Sequence, residues 1–565
     1  MRVGRAMVLV SALSFAALNI AAAPSPAATP TTAVSTGAPA TDVSWPVYGG
    51  DTANDRYSPA TQITPTNAST LKLAWSFHTG ISGPSTSFES TAAVAGGRLY
   101  ITAPDDEVFA LDPTTGKQVW HVTPKLEADA APTRINRGVA YGAGRVYLAT
   151  VDSRLIAYDA VSGKQDWSAQ LAHSRKELFN SMAPQFVDGR VIVGLSGGEH
   201  EARGFLAAYD ATTGKQVWRF ITIPGPTDPG GNTWPANTRY LAGGGPVWMT
   251  PAVDTSLGLI YFNVTNPSPD FNGSSRAGSN LYTDSIVAVR AATGKLAWYF
   301  QEVHHDLWDY DPASPDVLLT LTIGGAPVPA IIQAGKTGFL YVLDRRTGKP
   351  VVPTPERPVP AGAPWQHVWP TQPEPQNQPF APQCPAPGQY PLETCLFTPP
   401  GTTPVLNAPG SLGGSAWSPV SYSPQTGLAY IEANNIPVLR STTPTSCCFG
   451  RSPRRIPNEP ISGSLEGYDV AGGRIAWLVP VQGAPFGGST VTAGGVVFSG
   501  ESSGYFDAHD ASNGSLLFHY ATLAGADAAP SVYVAAGREY VAISAGGNSI
   551  LNSPRGDTLD VFTLP

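Results

Sequence analysis

One phrase recurs along this chain, and it limits the fold more than any other feature. ALDPTTGKQVW ends at Trp120, AYDAVSGKQDW at Trp167, AYDATTGKQVW at Trp218, AVRAATGKLAW at Trp298 and GYDVAGGRIAW at Trp477. Weaker copies are VLDRRTGKPVV from Val342, AHDASNGSLLF ending at Phe518, and SYSPQTGLAYI around Gly427. Each copy reads as an apolar strand, an Asp that opens a tight turn, a Gly in the left-handed position, and a departing strand that carries Trp. Trp120 and Trp167 lie 47 residues apart, and Trp167 and Trp218 lie 51 apart. One four-stranded propeller blade takes roughly 40–50 residues. Counting copies gives seven or eight blades. LKLAWSFHTG, from Leu71 to Gly80, reads as the strand that completes the last blade with the C-terminus, a closure that leaves no free sheet edge. The expectation is an all-β, eight-bladed β-propeller with tryptophan-bearing turn repeats, spanning residues 46–565.

Composition agrees with many short strands. The 59 Gly and 55 Pro among 565 residues interrupt helices, and long stretches of 3.6-residue apolar period are few. A net charge of −8 argues against a nucleic-acid partner, which would call for a basic patch. Arg2 and Arg5 precede AMVLVSALSFAALNIAAA, a short apolar run ending in small residues. This reads as a signal peptide over 1–28, followed by an Ala/Pro/Thr-rich linker over 29–45. The run is short for a membrane span, which needs ~20 residues, and no later stretch reads as one. The expected location is periplasmic or extracellular. The four cysteines, Cys384, Cys395, Cys447 and Cys448, suit an oxidising compartment and allow three pairings. Cys384 and Cys395 bracket a Pro-rich loop; Cys447 and Cys448 are adjacent. With no C-x-x-C-H, the chain carries no c-type haem attachment site.

Only 13% of residues are charged, yet VHHDLWDYDP, Val303 to Pro312, gathers three Asp and two His around Trp308. A zinc site is not expected there, because neighbouring residues on a strand face opposite sides. His304 and His305 read as supporting partners, substrate contacts or packing, and Trp308 as core. Two irregular insertions break the repeat, one Pro-rich around Cys384 and one from Asn434 to Pro460. Both are long enough to be lids or excursions over one face.

Taken together, the turn phrase and these stretches resemble the quinoproteins, dehydrogenases that bind pyrroloquinoline quinone on the axis of an eight-bladed propeller. The resemblance runs from YGGDTANDRYSPATQIT to the C-terminus. It implies that Asp309, after Trp308, is the catalytic base. LSGGEHEARG then supplies Glu199 and NVTNPSPD supplies Asn266 as metal ligands, with Asp309 and Asp311 adding oxygens. A carboxylate-and-amide oxygen set suits Ca²⁺; Asp311 leaves a lanthanide as the alternative. The cofactor contacts implied are Arg137 (INRGVAYG), Trp248 (GGGPVWMTP) as the floor under the ring, Lys336 (GKTGFLYVLDR), Glu89 (FES), Ser181 (NSMAP), Ser196, Gly197 and Gly198. An anionic quinone needs buried cations, which Arg137 and Lys336 provide, and oxidation of a hydroxyl needs a base for its proton.

Departures from the family pattern bear on substrate. Many alcohol-oxidising relatives carry adjacent cysteines before the NRG stretch, where this chain has Ala131 and Pro132. Where relatives have an Asn near the quinone, GGSAW offers Ala416. The HHDLWDYD wording and the RGD ending look more like the glucose, polyol and quinate group. The expected substrates are alcohol, polyol or sugar hydroxyls. Electrons would pass to a separate acceptor, a cytochrome, copper protein or quinone. The competing readings are a scaffold propeller without cofactor and a degenerate quinoprotein that only binds ligands.

Overall fold

The computed structural model describes residues 42–128, 130, 134–172, 178–388, 392–445, 451–454 and 461–565. The expected signal peptide, the linker as far as residue 41, Ala131, Pro132, Cys447 and Cys448 lie outside the described residues. Asp42–Trp45, assigned to the linker on composition, belong to the folded body. Val43 bridges to Val534 and Trp45 to Val94, and Trp45 is buried. Regular structure among the described residues is strand and short 3-10 turn, and no helix there is long and apolar enough to cross a membrane.

Antiparallel four-stranded sheets follow one another along the chain, each strand pairing with the next. Ala93–Ala95, Arg98–Thr102, Val108–Leu111 and Gln118–Val122 make one sheet; Ala140–Gly142, Arg145–Ala149, Arg154–Asp159 and Gln165–Gln170 make the next. The pattern continues to the sheet ending in Leu516–Ala521, where Tyr57–Ser58 adds in parallel beside Ser489–Thr492. The last sheet draws on both ends of the chain. Ser531–Ala535, Arg538–Ala545 and Thr558–Thr563 are joined by Lys72–His78, whose His78 lies opposite Thr558. The LKLAWSF stretch thus completes a C-terminal sheet, as the closure argument expects.

Every part of the recurring phrase has a mechanical role. Asp112 Oδ1 accepts from the backbone N–H groups of Thr114 and Thr115, which fixes the turn. Backbone register slips by one residue at the same place in each copy, between Ala110 and Leu111, Ala157 and Tyr158, Ala208 and Tyr209. The indole N–H then reaches into the following sheet. Trp120 Nε1 donates to Ala160 O at 3.1 Å, Trp167 to Ala211 O at 3.1 Å, Trp218 to Ala291 O at 2.9 Å and Trp477 to Ala511 O at 3.3 Å. The ring itself covers the turn glycine of that sheet. A Cβ on Gly163 (φ +72°) would stand 2.9 Å from Trp120, and one on Gly214 (φ +68°) 2.6 Å from Trp167. The glycine therefore serves both a left-handed backbone and an indole lying on it. SYSPQTG is different. It joins Ser421–Ser423 to Leu428–Asn435, the first two strands of its sheet, whereas the other copies join the third and fourth.

Apolar layers between successive sheets form the core. In one, Tyr100, Val108, Ala110 and Trp120 interleave with Val146, Leu148, Ile156 and Tyr158 from the following sheet. Full burial of each such side chain contributes ~1.5–3 kcal/mol.

The two insertions build a separate sheet of Glu393–Thr394, Val405–Asn407, Val438–Ser441 and Arg451–Arg454. Cys384 and Cys395 are disulfide-bonded beside it. This assembly lies against VHHDLWDYDP. Trp308 Nε1 donates to Thr398 O at 2.8 Å, Tyr310 hydroxyl to Asn407 Oδ1 at 2.9 Å, and His305 Nε2 lies 2.7 Å from Gln366 O.

Candidate active site

VHHDLWDYDP is not a strand, contrary to expectation; it is an irregular segment between Leu296–Gln301 and Val317–Ile323. Asp306 organises it, accepting from Trp308 N at 2.8 Å and Tyr310 N at 3.0 Å. Trp308 is fully buried and packs edge-on against Phe397, so its reading as core holds. His305 is tied by both ring nitrogens to backbone carbonyls, Gly278 O and Gln366 O, each at 2.7 Å. His304 sits 2.7 Å from Gln301 Oε1 and 3.1 Å from Glu356 Oε1. Both histidines support the loop. Asp309 has φ +62°, a left-handed conformation rare for a residue with a Cβ and of the kind that concentrates at functional sites.

That conformation presents Asp309 to Lys336. The ammonium lies 3.2 Å from Asp309 Oδ1 and also ion-pairs with Asp311. Asp309 keeps 19% of its side-chain surface open, whereas Lys336 and Asp311 are almost fully covered. Burial pushes the Asp309 carboxyl well above the usual range; the Lys336 charge opposes this, and Asp311, Asp270 and Asp306 reinforce it. Lys336 stays firmly charged: burial disfavours its cation, but the two carboxylates outweigh that cost and raise its pKa.

Glu199 is the middle residue of a single 3-10 turn, Gly198–His200, which follows Gly197 at φ +102°. Burial raises its pKa, Asp311 adds to the rise, and Lys336 opposes it. A Cβ on Gly198 would strike Pro246 at 2.4 Å, so only glycine lets this backbone lie against Pro246, and the same position stands 3.5 Å from Asn266 Oδ1.

A second group of residues forms a polar chain across several sheets. Asn548 Nδ2 donates to Glu89 Oε1 at 2.6 Å, and Glu89 pairs with Arg137 at 2.7 Å. Arg137 Nη1 donates to Ser181 Oγ at 2.9 Å, and Ser181 Oγ meets Ser196 Oγ at 2.9 Å. The Arg137 guanidinium stands over the Trp248 ring, 5.0 Å from its centre. Both charges of the ion pair are buried, and Arg137 Nε has no hydrogen-bond partner.

The structure thus links Asp309, Asp311 and Lys336, sets Gly198 against Asn266, and links Glu89, Arg137, Ser181, Ser196 and Trp248. A cavity of about 480 Å³ is lined by Leu412, Ile436, Val438, Ile461, Ala484 and Leu551, among others. Several of these pack in one apolar cluster with Trp248, Ala416 and Trp417. Among the described residues, no three His, Cys, Asp or Glu converge as a ready-made metal cluster. The donors suited to a hard cation are the Glu199 and Asp309 carboxylates and the Asn266 amide oxygen, and Lys336 now holds Asp309 and Asp311. For a flat anionic cofactor the fit is direct: an indole floor, a buried guanidinium with an unused N–H, two hydroxyls and glycine backbone.

Sequence reasoning missed several members. Asn548 falls in the C-terminal stretch GGNSIL, where nothing marks it as the partner of Glu89. Arg276, fully buried, braces the loop by donating to Asp306 O, and it also donates to Pro269 O at 2.8 Å, Asp270 O at 3.0 Å and Asn280 Oδ1 at 2.9 Å. Arg440, on the insertion sheet, is 3% exposed and lies 4.5 Å from the Phe271 ring centre. No local pattern identifies either arginine.

The family model described as glucose/ethanol/alcohol dehydrogenase, beta-propeller domain (PQQ) matches residues 45–458 and 474–541. The quinohemoprotein alcohol dehydrogenase ADH IIB of Pseudomonas putida is 34% identical over 547 residues, covering 92% of this chain and 75% of that protein. The quinoprotein glucose dehydrogenase of Escherichia coli (strain K12) is 30% identical over 648 residues, covering 95% and 80%. The crystal structure of quinohemoprotein alcohol dehydrogenase from Comamonas testosteroni superposes with a TM-score of 0.79 at 30% identity, covering 92% of this chain and 80% of that one.

Proposed function

This chain belongs to the pyrroloquinoline quinone-dependent glucose/ethanol/alcohol dehydrogenase family, oxidoreductases acting on CH–OH groups, and on that premise we propose that it oxidises alcohol, polyol or sugar hydroxyls with Asp309 as base. The scaffold is an eight-bladed propeller over residues 46–565, closed by Lys72–His78. The observation that carries the reading is the left-handed Asp309, held by Lys336 and left partly open, together with the buried Trp248–Arg137 cradle.

Glu89, Arg137, Ser181, Ser196, Gly197, Gly198, Trp248 and Lys336 would hold the quinone, and Glu199, Asn266, Asp309 and Asp311 a calcium ion or a lanthanide. When bound, the quinone accepts the two electrons of the alcohol carbon, and the metal acts on its carbonyl as a Lewis acid. The protein's own part is to orient and to move a proton. Trp248 supplies a flat apolar face, and Arg137 a buried positive charge that Glu89 and Ser181 fix in place. Asp309 takes the hydroxyl proton, and its raised affinity for protons makes it a stronger base than an exposed carboxylate. Lys336 keeps a positive charge beside it and stabilises negative charge that develops on oxygen.

Export of the mature chain, and an electron acceptor on a separate protein or a membrane quinone, belong to the same proposal. The test is to load the purified protein with pyrroloquinoline quinone and Ca²⁺, or lanthanum, and follow dye reduction with alcohols, polyols and aldoses. Quinone-dependent turnover is expected. Absence of turnover with every metal and substrate class would sink the proposal.

A further inference from the structure

Arg440 has no role in the machinery described so far, and its surroundings are unusual. Its Nε, Nη1 and Nη2 all lack a hydrogen-bond partner although the residue is 3% exposed. No carboxylate among the described residues forms an ion pair with it. Of the nearby acids, Asp309 is held by Lys336 and Asp306 by the Trp308 and Tyr310 amides, while Asp270 leaves Oδ1 unpartnered and forms no ion pair with the guanidinium. Its one stacking contact is the Phe271 ring, one residue from Asp270. A guanidinium does not escape the cost of burial by losing its proton, so five N–H donors stand unused in a dry place.

The placement says what those donors face. Arg440 lies on Val438–Ser441, where Val438 and Arg440 are the buried positions and share one side of the strand. Val438 lines the cavity next to the Trp248 cluster. At the other end, Tyr310, next to Asp309 in the chain, donates to Asn407 Oδ1 at 2.9 Å, and Asn407 pairs with Val438 on the strand that carries Arg440. Arg440 therefore lies between the cavity wall and the loop that carries the base.

We propose that Arg440 is a specificity-determining residue that grips a carboxylate of the substrate, so that the preferred substrates are hydroxycarboxylates whose distal hydroxyl is presented to Asp309. This rests on the dehydrogenase reading above and names its substrate class. A planar fork with free donors matches a carboxylate through two parallel hydrogen bonds. One positive charge amid several aspartates balances a monoanion and disfavours a dianionic phosphate. Phe271 keeps the guanidinium plane in place for that pairing.

The experiment uses the chain loaded with pyrroloquinoline quinone and Ca²⁺. Dye reduction is compared for matched neutral and acidic substrates, glycerol against glycerate and glucitol against gluconate, in wild type, Arg440→Met, Arg440→Gln and Arg440→Lys. Wild type is expected to favour the acid of a pair by tenfold or more in kcat/KM. Arg440→Met and Arg440→Gln should lower the acid-to-neutral ratio on the order of 100-fold, mainly through KM, and Arg440→Lys should recover part of it. A second readout is calorimetric titration of glycolate, lactate, glycerate, gluconate and mandelate into the loaded and the cofactor-free protein. Binding to wild type and its loss in Arg440→Met are expected. The melting temperature of Arg440→Met should not fall, because removing an unpaired buried charge relieves its desolvation cost.

Equal carboxylate binding in wild type and Arg440→Met, or no binding of any of these acids, would overturn the assignment. So would loss of quinone binding in Arg440→Met, which would assign the arginine to the cofactor cradle. Failure of all quinone-dependent turnover in wild type would refute the dehydrogenase reading instead, while calorimetry on the cofactor-free protein still reports on Arg440.

Discussion

Replacing Gly163 by Ala tests the mechanical account of the repeat. Gly163 has φ +72° and lies under the Trp120 ring; Gly144, in a neighbouring hairpin, has φ +74° and nothing within 4 Å of its would-be Cβ. At both sites alanine meets the same left-handed penalty, roughly 1–2 kcal/mol. The gain from a stiffer unfolded chain is also shared, so it cancels in the comparison. Only Gly163→Ala sets a methyl group 2.9 Å from an indole atom whose N–H is anchored to Ala160 O. Overpacking of this kind costs a further ~1–3 kcal/mol. With an unfolding entropy of ~2.1 cal/mol/K per residue, a chain of this length loses only about 1 °C of Tm per kcal/mol. Gly163→Ala should therefore melt about 1–3 °C below Gly144→Ala in scanning calorimetry, under identical cofactor loading. In a Trp120→Leu background the excess should vanish, because the ring that causes it is gone. Equal Tm for the two alanine variants, or an excess that survives Trp120→Leu, would refute the idea that the turn glycine is kept for the indole.

Asp309→Asn should keep the fold and the ability to bind pyrroloquinoline quinone but lower turnover ~10²–10⁴-fold, the usual share of a general base; wild-type-like rates would remove Asp309 from the mechanism. Glu432 is fully buried with Oε1 unpartnered, and desolvation lifts its pKa from 4.5 to about 8. The folded state thus holds a proton that the unfolded state releases, so stability is full below about pH 4.5 with respect to this group and declines as pH rises toward 8. Glu432→Gln, which keeps an oxygen acceptor for Gly488 N, should flatten that decline by on the order of 1 kcal/mol per pH unit, measured by urea unfolding at pH 5 and 8. Reducing or deleting the Cys384–Cys395 bridge, which closes a short loop, should lower the stability of the insertion by ~2–3 kcal/mol, detected as faster proteolysis there with the propeller core intact.

The reasons for what was legible are local. A turn that needs an Asp acceptor, a left-handed glycine and an indole over the next turn can be written in one phrase of eleven residues, so the repeat exposed the all-β architecture and its closing strand. VHHDLWDYDP was visible as an excess of charge in a charge-poor chain, and Glu199, Asn266 and Lys336 through resemblance to a family. Its conformation was not visible. The period-2 logic of strands does not apply to an irregular loop whose shape is set by Asp306, Arg276 and contacts with residues 366, 398 and 407.

What the sequence alone determined is therefore the unit of construction, which depends on neighbours within a few residues; the candidate reactive groups came through resemblance to a family. Tertiary structure decided which of those groups meet. Lys336, in the turn between Ala326–Ala334 and Leu340–Asp344, reaches Asp309 and Asp311 because these strands pair in one sheet with Val317–Ile323, into which the Asp309 loop leads, and Asn548 finds Glu89 459 residues away because the last sheet takes a strand from each end of the chain. Arg440 comes near Asp309 only because two insertions pair into a sheet of their own. Such pairings are set by the packing of whole sheets, and no spacing along the chain records them.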